Sequence, residues 1–418
     1  MKTVTAAVVG AGHAGLAMSH HLARHGIDHV ILERGEVANA WRHQRWDSLR
    51  LLTPNWQTRL PGQAYAGPEP HGFMGMAELI GFLDDYARGL SAPLHTGTEV
   101  VSVRQAENGY LVVTNQGDWR CRAVVIATGA CRLPVVPALA ADLPPWVNSL
   151  TPLDYRNPGQ LAPGGVLVVG ASATGVQLAD EIQRSGRPVT LAVGEHLRLP
   201  RRYRGRDIQW WLEQAGMLDQ RFDEVEDLAR VRRQPSPQLL GSTEPLDLDL
   251  NALGERGVRL VGRLVGLAGT RLQFSGSLAV HCQAADLKLA RLLDNLDAWA
   301  SVHDCHAALP APERPAPTLV PQHPCLGLDL AAGEIKTVLW ATGFRPDFSW
   351  LEVPVFDARG RLLHDGGVVA PGLYAMGLPF MRRRKSGAIH GADDDARELS
   401  AHLVAWLARA GRRHASFA

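Results

Sequence analysis

The sequence has few cysteines, and none of them is arranged for disulfide exchange. Its five cysteines are odd in number and widely spaced, and no two form a Cys-X-X-Cys pair. Disulfide-stabilised secreted domains and redox-active dithiol enzymes both depend on paired cysteines. The pattern argues against both classes and favours the reducing environment of the cytoplasm.

The sequence also lacks an excess of either charge. It has 43 Lys and Arg against 42 Asp and Glu, a net charge of +1, so no overall field would draw it to nucleic acid or to an anionic membrane. One dense basic run, Arg382 to Lys385, is predicted to make local contacts within its loop and not to bind nucleic acid. No uncharged stretch reaches the ~18 residues that a membrane span needs. We therefore expect a small-molecule partner, and neither nucleic acid nor a membrane.

Histidine and cysteine are not spaced for metal binding either. His303, Asp304, Cys305 and His306 are metal-ligand types, but they satisfy no zinc spacing. A polar helix end explains them more simply, and no metal site is predicted.

Glycine, in contrast, is abundant at 42 residues, and a strand, glycine turn and helix occur twice along the chain. In the first copy an apolar strand at residues 5–9 leads into GAGHAG at 10–15. A helix at 16–25 and a second strand at 29–32 follow. This order is a βαβ unit, which places the glycine turn at the amino end of a helix.

The three glycines of the first turn have separate tasks. Gly10 allows the tight turn, Gly12 lets a pyrophosphate approach the backbone, and Gly15 lets helix and strand pack closely. The helix end presents unpaired N–H groups to phosphates, and Glu33, 23 residues after Gly10, can accept hydrogen bonds from a ribose. The motif predicts a dinucleotide site, which also includes the adjacent His13, Ala14 and Arg34.

Three further strands, at 98–103, 110–114 and 119–126, are predicted to form a β-meander that ends in Ala-Thr-Gly. Thr128 and Gly129 of this motif are small, so the backbone can approach a cofactor at the edge of the sheet. We predict that both contact the first dinucleotide.

The second copy has a strand at 166–169, GASATG at 170–175, a helix at 176–185 and a strand at 189–193. Ser172 replaces the middle glycine; its hydroxyl can donate to phosphate, although its side chain narrows the approach. The predicted contacts of a second dinucleotide are Gly170, Ser172, Ala173, Thr174 and Gly175.

The residues that follow the second copy bear on the choice of nicotinamide cofactor. Arg198, Arg201 and Arg202 could hold the 2′-phosphate of NADPH, whereas Glu195 would prefer the free hydroxyl of NADH. The sequence supports both choices, so NADPH and NADH both stay open.

The carboxyl-terminal part carries a second Ala-Thr-Gly. Prolines dominate 310–324, and a strand at 338–340 then ends in ATGFRPD. GLYAMG at 372–377 is a further short strand, whose Gly377 is predicted to reach the edge of the first cofactor, and an amphipathic helix at 393–407 could aim N–H groups at the same cofactor.

These elements predict an α/β fold with two Rossmann-like dinucleotide-binding domains. The first dinucleotide-binding domain is expected to be discontinuous, at 1–157 and 320–418. The NAD(P)-binding domain is expected at 158–319.

With WRHQRWDSLRLLTPNW at 41–56, these motifs resemble the flavin-containing monooxygenase group over nearly the whole chain. The resemblance implies FAD in the first fold and NADPH in the second. It also implies that reduced flavin captures dioxygen as a C4a-hydroperoxide, which oxygenates nitrogen, sulfur or a carbonyl carbon of a small organic substrate. Trp41 would lie near the isoalloxazine and Val100 near the adenine.

Three positions depart from the pattern of that group. Thr151 stands where its fingerprint has histidine, Leu52 aligns with an asparagine beside the flavin, and Gly377 precedes Leu378 instead of aspartate. An alternative is therefore an FAD-dependent NAD(P)H reductase, dehydrogenase or oxidase that inserts no oxygen. A non-catalytic flavin-binding protein, whose second fold no longer takes nicotinamide, is a third interpretation, motivated by Ser172 and Glu195.

His390 is the one catalytic side chain that we predict. It lies between the basic run and the last helix, where the resemblance places the flavin edge, and a histidine there could exchange protons with the flavin. A surface or supporting histidine is the alternative. The sequence leaves the oligomeric state, monomer or homodimer, open.

Overall fold

The computed structural model describes residues 1–90, 93–242, 247–303 and 309–415. Two sheets with parallel centres, each packed against helices, form the two halves of the molecule. The predicted fold class, α/β with two Rossmann-like dinucleotide-binding folds, is confirmed.

Within these ranges nine strands form the first sheet. At its centre Lys2–Val9 pairs in parallel with His29–Leu32 on one side and with Trp119–Ile126 on the other. Helix His13–Arg24 packs against helices Met76–Gly89 and Ala392–Ala415. The strand order is Leu351–Glu352, Val100–Ala106, Gly109–Thr114, Trp119–Ile126, Lys2–Val9, His29–Leu32 and Leu94–His95, with Leu373–Ala375 branching from Trp119–Ile126 and Val368–Ala370 beside it.

The second sheet repeats the arrangement of the first. Gly165–Val169 lies between Val189–Ala192 and Ile335–Trp340, and all three strands are parallel. The full order is Asn148–Leu150, Ile335–Trp340, Gly165–Val169, Val189–Ala192 and Arg259–Val261, and a separate antiparallel sheet holds Leu264–Ala268, Arg271–Phe274 and Gly327–Asp329. The helices between these strands are Ala173–Arg184, Ile208–Gln214, Leu228–Arg232, Leu250–Glu255 and Leu278–Val302.

The remaining strands are short, and one short helix, Asn39–His43, follows the first βαβ unit. These strands pair as Arg59–Leu60 with Gln63–Ala64, Leu133–Pro134 with Phe344–Arg345, Leu197–Arg198 with Pro237–Gln238, and Arg202–Tyr203 with Arg206–Asp207. In the part of the chain that the structure describes, no helix has the length and apolar character that a membrane span requires.

The strand pairing corrects the predicted domain boundaries at 157 and 320. Asn148–Leu150 and Ile335–Trp340 were expected in the FAD-binding domain, but both belong to the second sheet. The hydrophobic cores follow the same division, because Trp340 lies in a core of the second half and Leu351 in that of the first. The internal repeat explains why Ile335–Trp340 belongs to the second sheet. In each half, the strand that ends in Ala-Thr-Gly pairs with the strand that precedes the glycine loop.

Both glycine-loop helices begin earlier than their apolar pattern predicts. The observed helices are His13–Arg24 and Ala173–Arg184, and their N-caps are Gly12 and Ser172. The last three residues of each glycine motif are therefore already helical. Their N–H groups belong to the first turn, where the helix itself offers them no acceptor.

Glycine is required at two positions of the first glycine loop. Gly10 has a φ of +110°, a region that favours glycine. A β-carbon on Gly15 would meet the carbonyl of Gly10 well inside the 3.0 Å that real contacts keep. The helix thus packs directly on the loop backbone, and the same contact recurs between Gly175 and Gly170.

We expect Gly15→Ala to lower the free energy of unfolding by about 3 kcal/mol, since the added methyl group must displace backbone. Denaturant unfolding of the protein without cofactor measures this effect. Gly12→Ala is the matched control, because a β-carbon at Gly12 meets nothing within 4 Å. Equal losses in the two variants would contradict the argument.

Candidate dinucleotide sites

A cavity of about 360 Å³ lies against the first glycine loop. Its walls come from the carboxyl ends of strands in the first sheet, from the segment after Glu33, and from the end of the chain. The predicted FAD contacts among its lining residues are Gly10, Gly12, His13, Ala14, Glu33, Arg34, Trp41, Val100, Thr128, Gly129 and Gly377. Residues from both ends of the chain therefore meet at one cavity.

Glu33 ties the glycine loop to the second strand of the sheet. Its buried carboxylate accepts hydrogen bonds from the backbone N–H groups of Ala11, at 2.8 Å, and Gly35, at 3.0 Å. Each carboxylate oxygen has two lone pairs, so acceptor capacity remains for a ribose hydroxyl. Glu33 can therefore hold a ribose without releasing the loop.

Two buried polar atoms of the cavity lining have no hydrogen-bond partner within the described structure, His13 Nε2 and Thr128 Oγ1. Burial lowers the pKa of His13 to about 4, so its ring is neutral at pH 7. Gly12 faces open space. Unpartnered polar atoms and an open glycine beside a helix amino end fit a dinucleotide phosphate bridge.

Charged side chains of both signs line the cavity. Arg34 and Arg132 both line it, and neither has an ion-pair partner among the described residues. Burial and the neighbouring Arg132 lower the pKa of Arg34. The carboxylates of Glu33, Glu99 and Asp347 raise the pKa of Arg34 and also line the cavity, so the lining offers a ligand contacts of both signs. Arg132 was missed in the sequence, although its place three residues after the first Ala-Thr-Gly segment was a usable signal.

Trp41 has a partner that the motif did not reveal. The guanidinium of Arg45 lies 5.0 Å from the centre of the Trp41 ring, a cation–π distance. Cys131 also lines the cavity, and burial raises the pKa of its thiol. A thiol with a raised pKa is protonated at neutral pH and is a poor nucleophile.

Leu52 does not line this cavity, which corrects its predicted place beside FAD. Its side chain packs against a separate cluster that includes Tyr203 and Trp211, and its carbonyl accepts a hydrogen bond from Arg201. Gly15 lies behind the loop wall, packed on Gly10. The family resemblance placed Leu52 beside the flavin, but its segment directs this side chain toward the second half.

His390 is buried and lies outside the cavity lining, three residues after Gly387, which does line it. Burial, reinforced by the nearby Arg59, lowers the pKa of His390 to about 4. Its Nε2 has no partner among the described residues. The ring is neutral at pH 7, and its catalytic role stays a prediction.

The second glycine loop has the same backbone as the first but different chemistry around it. Ser172 has φ −79° and ψ −177°, close to the −82° and −179° of Gly12. The buried Val193 occupies the place of Glu33, because both residues directly follow the second strand of their sheets. Gln238 reaches this loop from another strand and donates to the carbonyl of Ala171 at 2.8 Å.

Two of the three arginines predicted for the 2′-phosphate are engaged inside the protein, which corrects that prediction. Arg198 is buried and binds the carboxylates of Asp249 and Asp286, at 2.7 and 2.9 Å. Arg201 is buried and pairs with Asp207. Arg202 is exposed, and its role stays a prediction. Sequence alone cannot separate these cases, because the neutralising carboxylates come from distant segments.

We expect Arg201→Ala to destabilise the protein without changing its preference between NADPH and NADH. Loss of the buried guanidinium leaves the partly buried Asp207 carboxylate without its ion-pair partner and frees the Leu52 carbonyl, at a cost of about 3 kcal/mol. Thermal unfolding measures the loss, and titration with each nicotinamide measures the preference. A changed preference in a variant of unchanged stability would contradict this assignment.

Three of the four cations in the basic run Arg382 to Lys385 are paired with nearby carboxylates, and the fourth, Arg384, donates to the amide oxygen of Gln220. Arg382 binds Glu398 at 2.7 Å, and Arg383 binds Glu398 and Asp395. Lys385 binds two further aspartates, at 2.6 and 2.8 Å. These ion pairs hold the segment between the cavity and the last helix, which agrees with the prediction that the basic run makes contacts within the protein.

The stability that Glu398 contributes by binding Arg382 and Arg383 depends on pH. Burial raises its pKa, but hydrogen bonds from Arg383 and Arg382 outweigh burial and hold the pKa at about 2. A carboxyl whose pKa is depressed by folding stabilises the fold above its unfolded pKa of about 4.3, and this contribution is lost as the pH falls toward 2. Glu398→Gln should therefore lower the Tm at pH 7 and less so below pH 4. The exposed Glu352→Gln is the control, and an equal deficit at all pH values would refute the prediction.

Metal-ligand side chains do not gather in the structure as described: no group of three or more His, Cys, Asp or Glu in these ranges is arranged to hold a metal ion. Of the sequence cluster considered for a metal, Asp304, Cys305 and His306 lie outside the described residues. His303 stacks on Trp299, with ring centres 4.5 Å apart.

Known proteins agree with this architecture. A profile of the pyridine nucleotide-disulphide oxidoreductase family matches residues 7–227. An uncharacterised CzcO-like oxidoreductase of Geobacillus kaustophilus is 30% identical over 94% of this chain and 96% of its own length. Indole-3-pyruvate monooxygenase YUCCA4 of Oryza sativa is 28% identical over 48% of this chain and 50% of its own.

A solved flavin-containing monooxygenase from Stenotrophomonas maltophilia has the same fold. It is 20% identical with a TM-score of 0.67, and the match covers 97% of this chain and 100% of that one. The resemblance to the flavin monooxygenases is confirmed by these matches. Because the family profile spans more than half of the chain and the Geobacillus relative nearly all of it, the chain belongs to the pyridine nucleotide-disulphide oxidoreductase family, a family of flavin-dependent enzymes.

Proposed function

We propose that this protein is an NAD(P)H-dependent flavin monooxygenase that oxygenates a small organic substrate at nitrogen, sulfur or a carbonyl carbon. The observation that carries the proposal is the cavity on the first glycine loop, whose lining fits FAD, beside a second glycine loop of the same backbone form. The likeness to YUCCA4 in sequence and to the Stenotrophomonas enzyme in fold supports oxygenation.

The residues of the first site would hold FAD along its length. Glu33 would accept hydrogen bonds from the ribose, the amino end of helix His13–Arg24 would bind the phosphates, and Trp41 and Gly377 would flank the isoalloxazine. Bound FAD would supply the redox chemistry, accepting a hydride from nicotinamide and passing electrons to dioxygen. The protein would orient the two cofactors and keep water from the reacting ring.

The second site would take the nicotinamide dinucleotide. Gly170, Ala173, Thr174 and Gly175 form the loop and first helical turn, and Ser172 has no side-chain capping bond, so its hydroxyl is free to donate to phosphate. NADPH is the proposed cofactor, with NADH as the alternative.

Disulfide exchange is a poor match for the cysteines. Cys121, Cys131, Cys282 and Cys325 are free thiols, and burial raises the pKa of the first three. Oxygen rather than a disulfide is therefore the proposed second substrate. Free thiols also support the proposed cytoplasmic location.

A second candidate function is an FAD-dependent NAD(P)H reductase, dehydrogenase or oxidase without oxygen insertion. Leu52 favours it, because this residue faces the second half of the protein and supplies no polar group to the cavity. The site itself is compatible with both reactions, since both need the same two cofactors.

Labelled dioxygen separates the two functions. The FAD-loaded protein is supplied with NADPH, ¹⁸O₂ and, in separate reactions, methyl phenyl sulfide, N,N-dimethylaniline or cyclohexanone. Monooxygenation predicts a product that carries one ¹⁸O atom. Unlabelled products, or hydrogen peroxide equal to all NADPH consumed with every probe, would reject the proposal in favour of the second candidate.

A further inference from the structure

The two halves of the protein can be matched residue by residue through their strand registers. Leu32 pairs with His95 in the first sheet, and Ala192 pairs with Val261 in the second. The hydrogen bonds one residue further along give the same match: Glu33 N donates to His95 O, and Val193 N donates to Val261 O, both at 2.9 Å. A position in one nucleotide site therefore has a defined equivalent in the other.

This match places Arg263 at the adenosine end of the second site. Arg263 is equivalent to Gly97, since each lies two residues after the paired strand position. In the first half the segment directly after Gly97, from Thr98 to Val100, lines the cavity. Arg263 therefore stands beside the strand end where a ribose is recognised.

Space for the Arg263 side chain is provided by a glycine. Gly194 is the equivalent of Arg34, whose side chain lines the first cavity. The Cγ and Cδ atoms of Arg263 lie 3.9 Å from the position that a β-carbon would take on Gly194. The second site thus has Gly194 where the first has Arg34, and its arginine at this edge comes from the residues after the neighbouring strand.

The charges around this edge favour an anion. Arg263 is exposed, and its guanidinium has no hydrogen-bond or ion-pair partner in the ranges that the structure covers. Val193, at the place of Glu33, offers no carboxylate to repel a phosphate. Glu195 is paired with Lys288 at 3.0 Å, and the hydrogen bond from Lys288 lowers its pKa, so its charge is compensated.

We propose that Arg263 binds the 2′-phosphate of NADPH and sets the coenzyme preference of the second site. This inference rests on the proposed binding of a nicotinamide dinucleotide there. It assigns to Arg263 the task that the sequence suggested for Arg198 and Arg201, both of which are engaged by internal carboxylates. An arginine near this strand end is the usual ligand of a 2′-phosphate, and its fork geometry suits that group.

Calorimetric titration of the FAD-loaded protein tests the proposal without turnover. The probes are 2′,5′-ADP and 5′-AMP, which differ only by the 2′-phosphate, and FAD saturation keeps both out of the first site. The parent protein should bind 2′,5′-ADP about 10-fold or more tightly than 5′-AMP, the scale of one charge-assisted contact. Arg263→Ala should remove this difference and leave 5′-AMP binding unchanged, and Arg263→Lys should keep part of it.

Arg259→Ala is the matched control, because Arg259 begins the strand Arg259–Val261, at the end away from Arg263, and pairs there with Glu334. It should bind both probes as the parent does. An unchanged preference in Arg263→Ala would overturn the inference, as would a parent that binds both probes equally. If flavin reduction by NADPH is nevertheless observed, only this inference fails; if neither NADPH nor NADH reduces the flavin, the proposed function fails with it.

Discussion

Gly12→Leu is expected to abolish FAD binding in a protein that still folds. The backbone at Gly12 is extended, with φ −82° and ψ −179°, and a β-carbon there meets nothing within 4 Å. Ser172 holds nearly the same backbone conformation in the second half, so a side chain at this position is sterically acceptable to the loop itself. The leucine would instead fill the space where the phosphate bridge of FAD is expected.

Flavin titration of the cofactor-free variant should therefore show affinity reduced by about 100-fold or more, while its Tm without FAD stays near that of the parent. Ser172→Leu is the paired variant: it should keep FAD and lose nicotinamide binding. If Gly12→Leu retained FAD at parental affinity, the cavity on the first loop could not be the flavin site.

Glu33→Gln should weaken FAD binding by about 10- to 100-fold, the loss expected when a charged hydrogen-bond acceptor becomes neutral. The carboxylate now accepts from Ala11 and Gly35. A glutamine has one oxygen in place of two and turns an N–H₂ group toward one of these donors, so both the loop and the ribose contact are weakened.

The measurement is the dissociation constant of FAD for parent and variant. Glu36→Gln is the control, because Glu36 is exposed and does not line the cavity. Equal affinity in Glu33→Gln and parent would show that the ribose is held elsewhere.

Local sequence was sufficient to predict the glycine loops and most of the first site. Gly10, Gly12 and Glu33 are close in sequence and belong to one βαβ unit, so their spacing alone predicts that they lie at the same site. Trp41 and Val100 came from the family resemblance, and the cavity includes both.

Features that depend on distant pairing could not be predicted in the same way. Ile335–Trp340 is apolar and would suit either sheet; only its register with Gly165–Val169 assigns it to the second. The arginines after the second glycine loop look alike in sequence, yet Arg198 meets Asp286 from a helix 88 residues away. Arg263 went unnoticed because it lies in a short link between two strands that carry no motif.

Anaerobic mixing of the purified, FAD-loaded protein with NADPH tests the central claim, two cooperating dinucleotide sites, most directly. The account predicts that the protein retains FAD and that NADPH bleaches the visible absorbance of the flavin, more readily than NADH does. A protein that takes up no FAD, or one whose flavin stays oxidised with both nicotinamides, would contradict it.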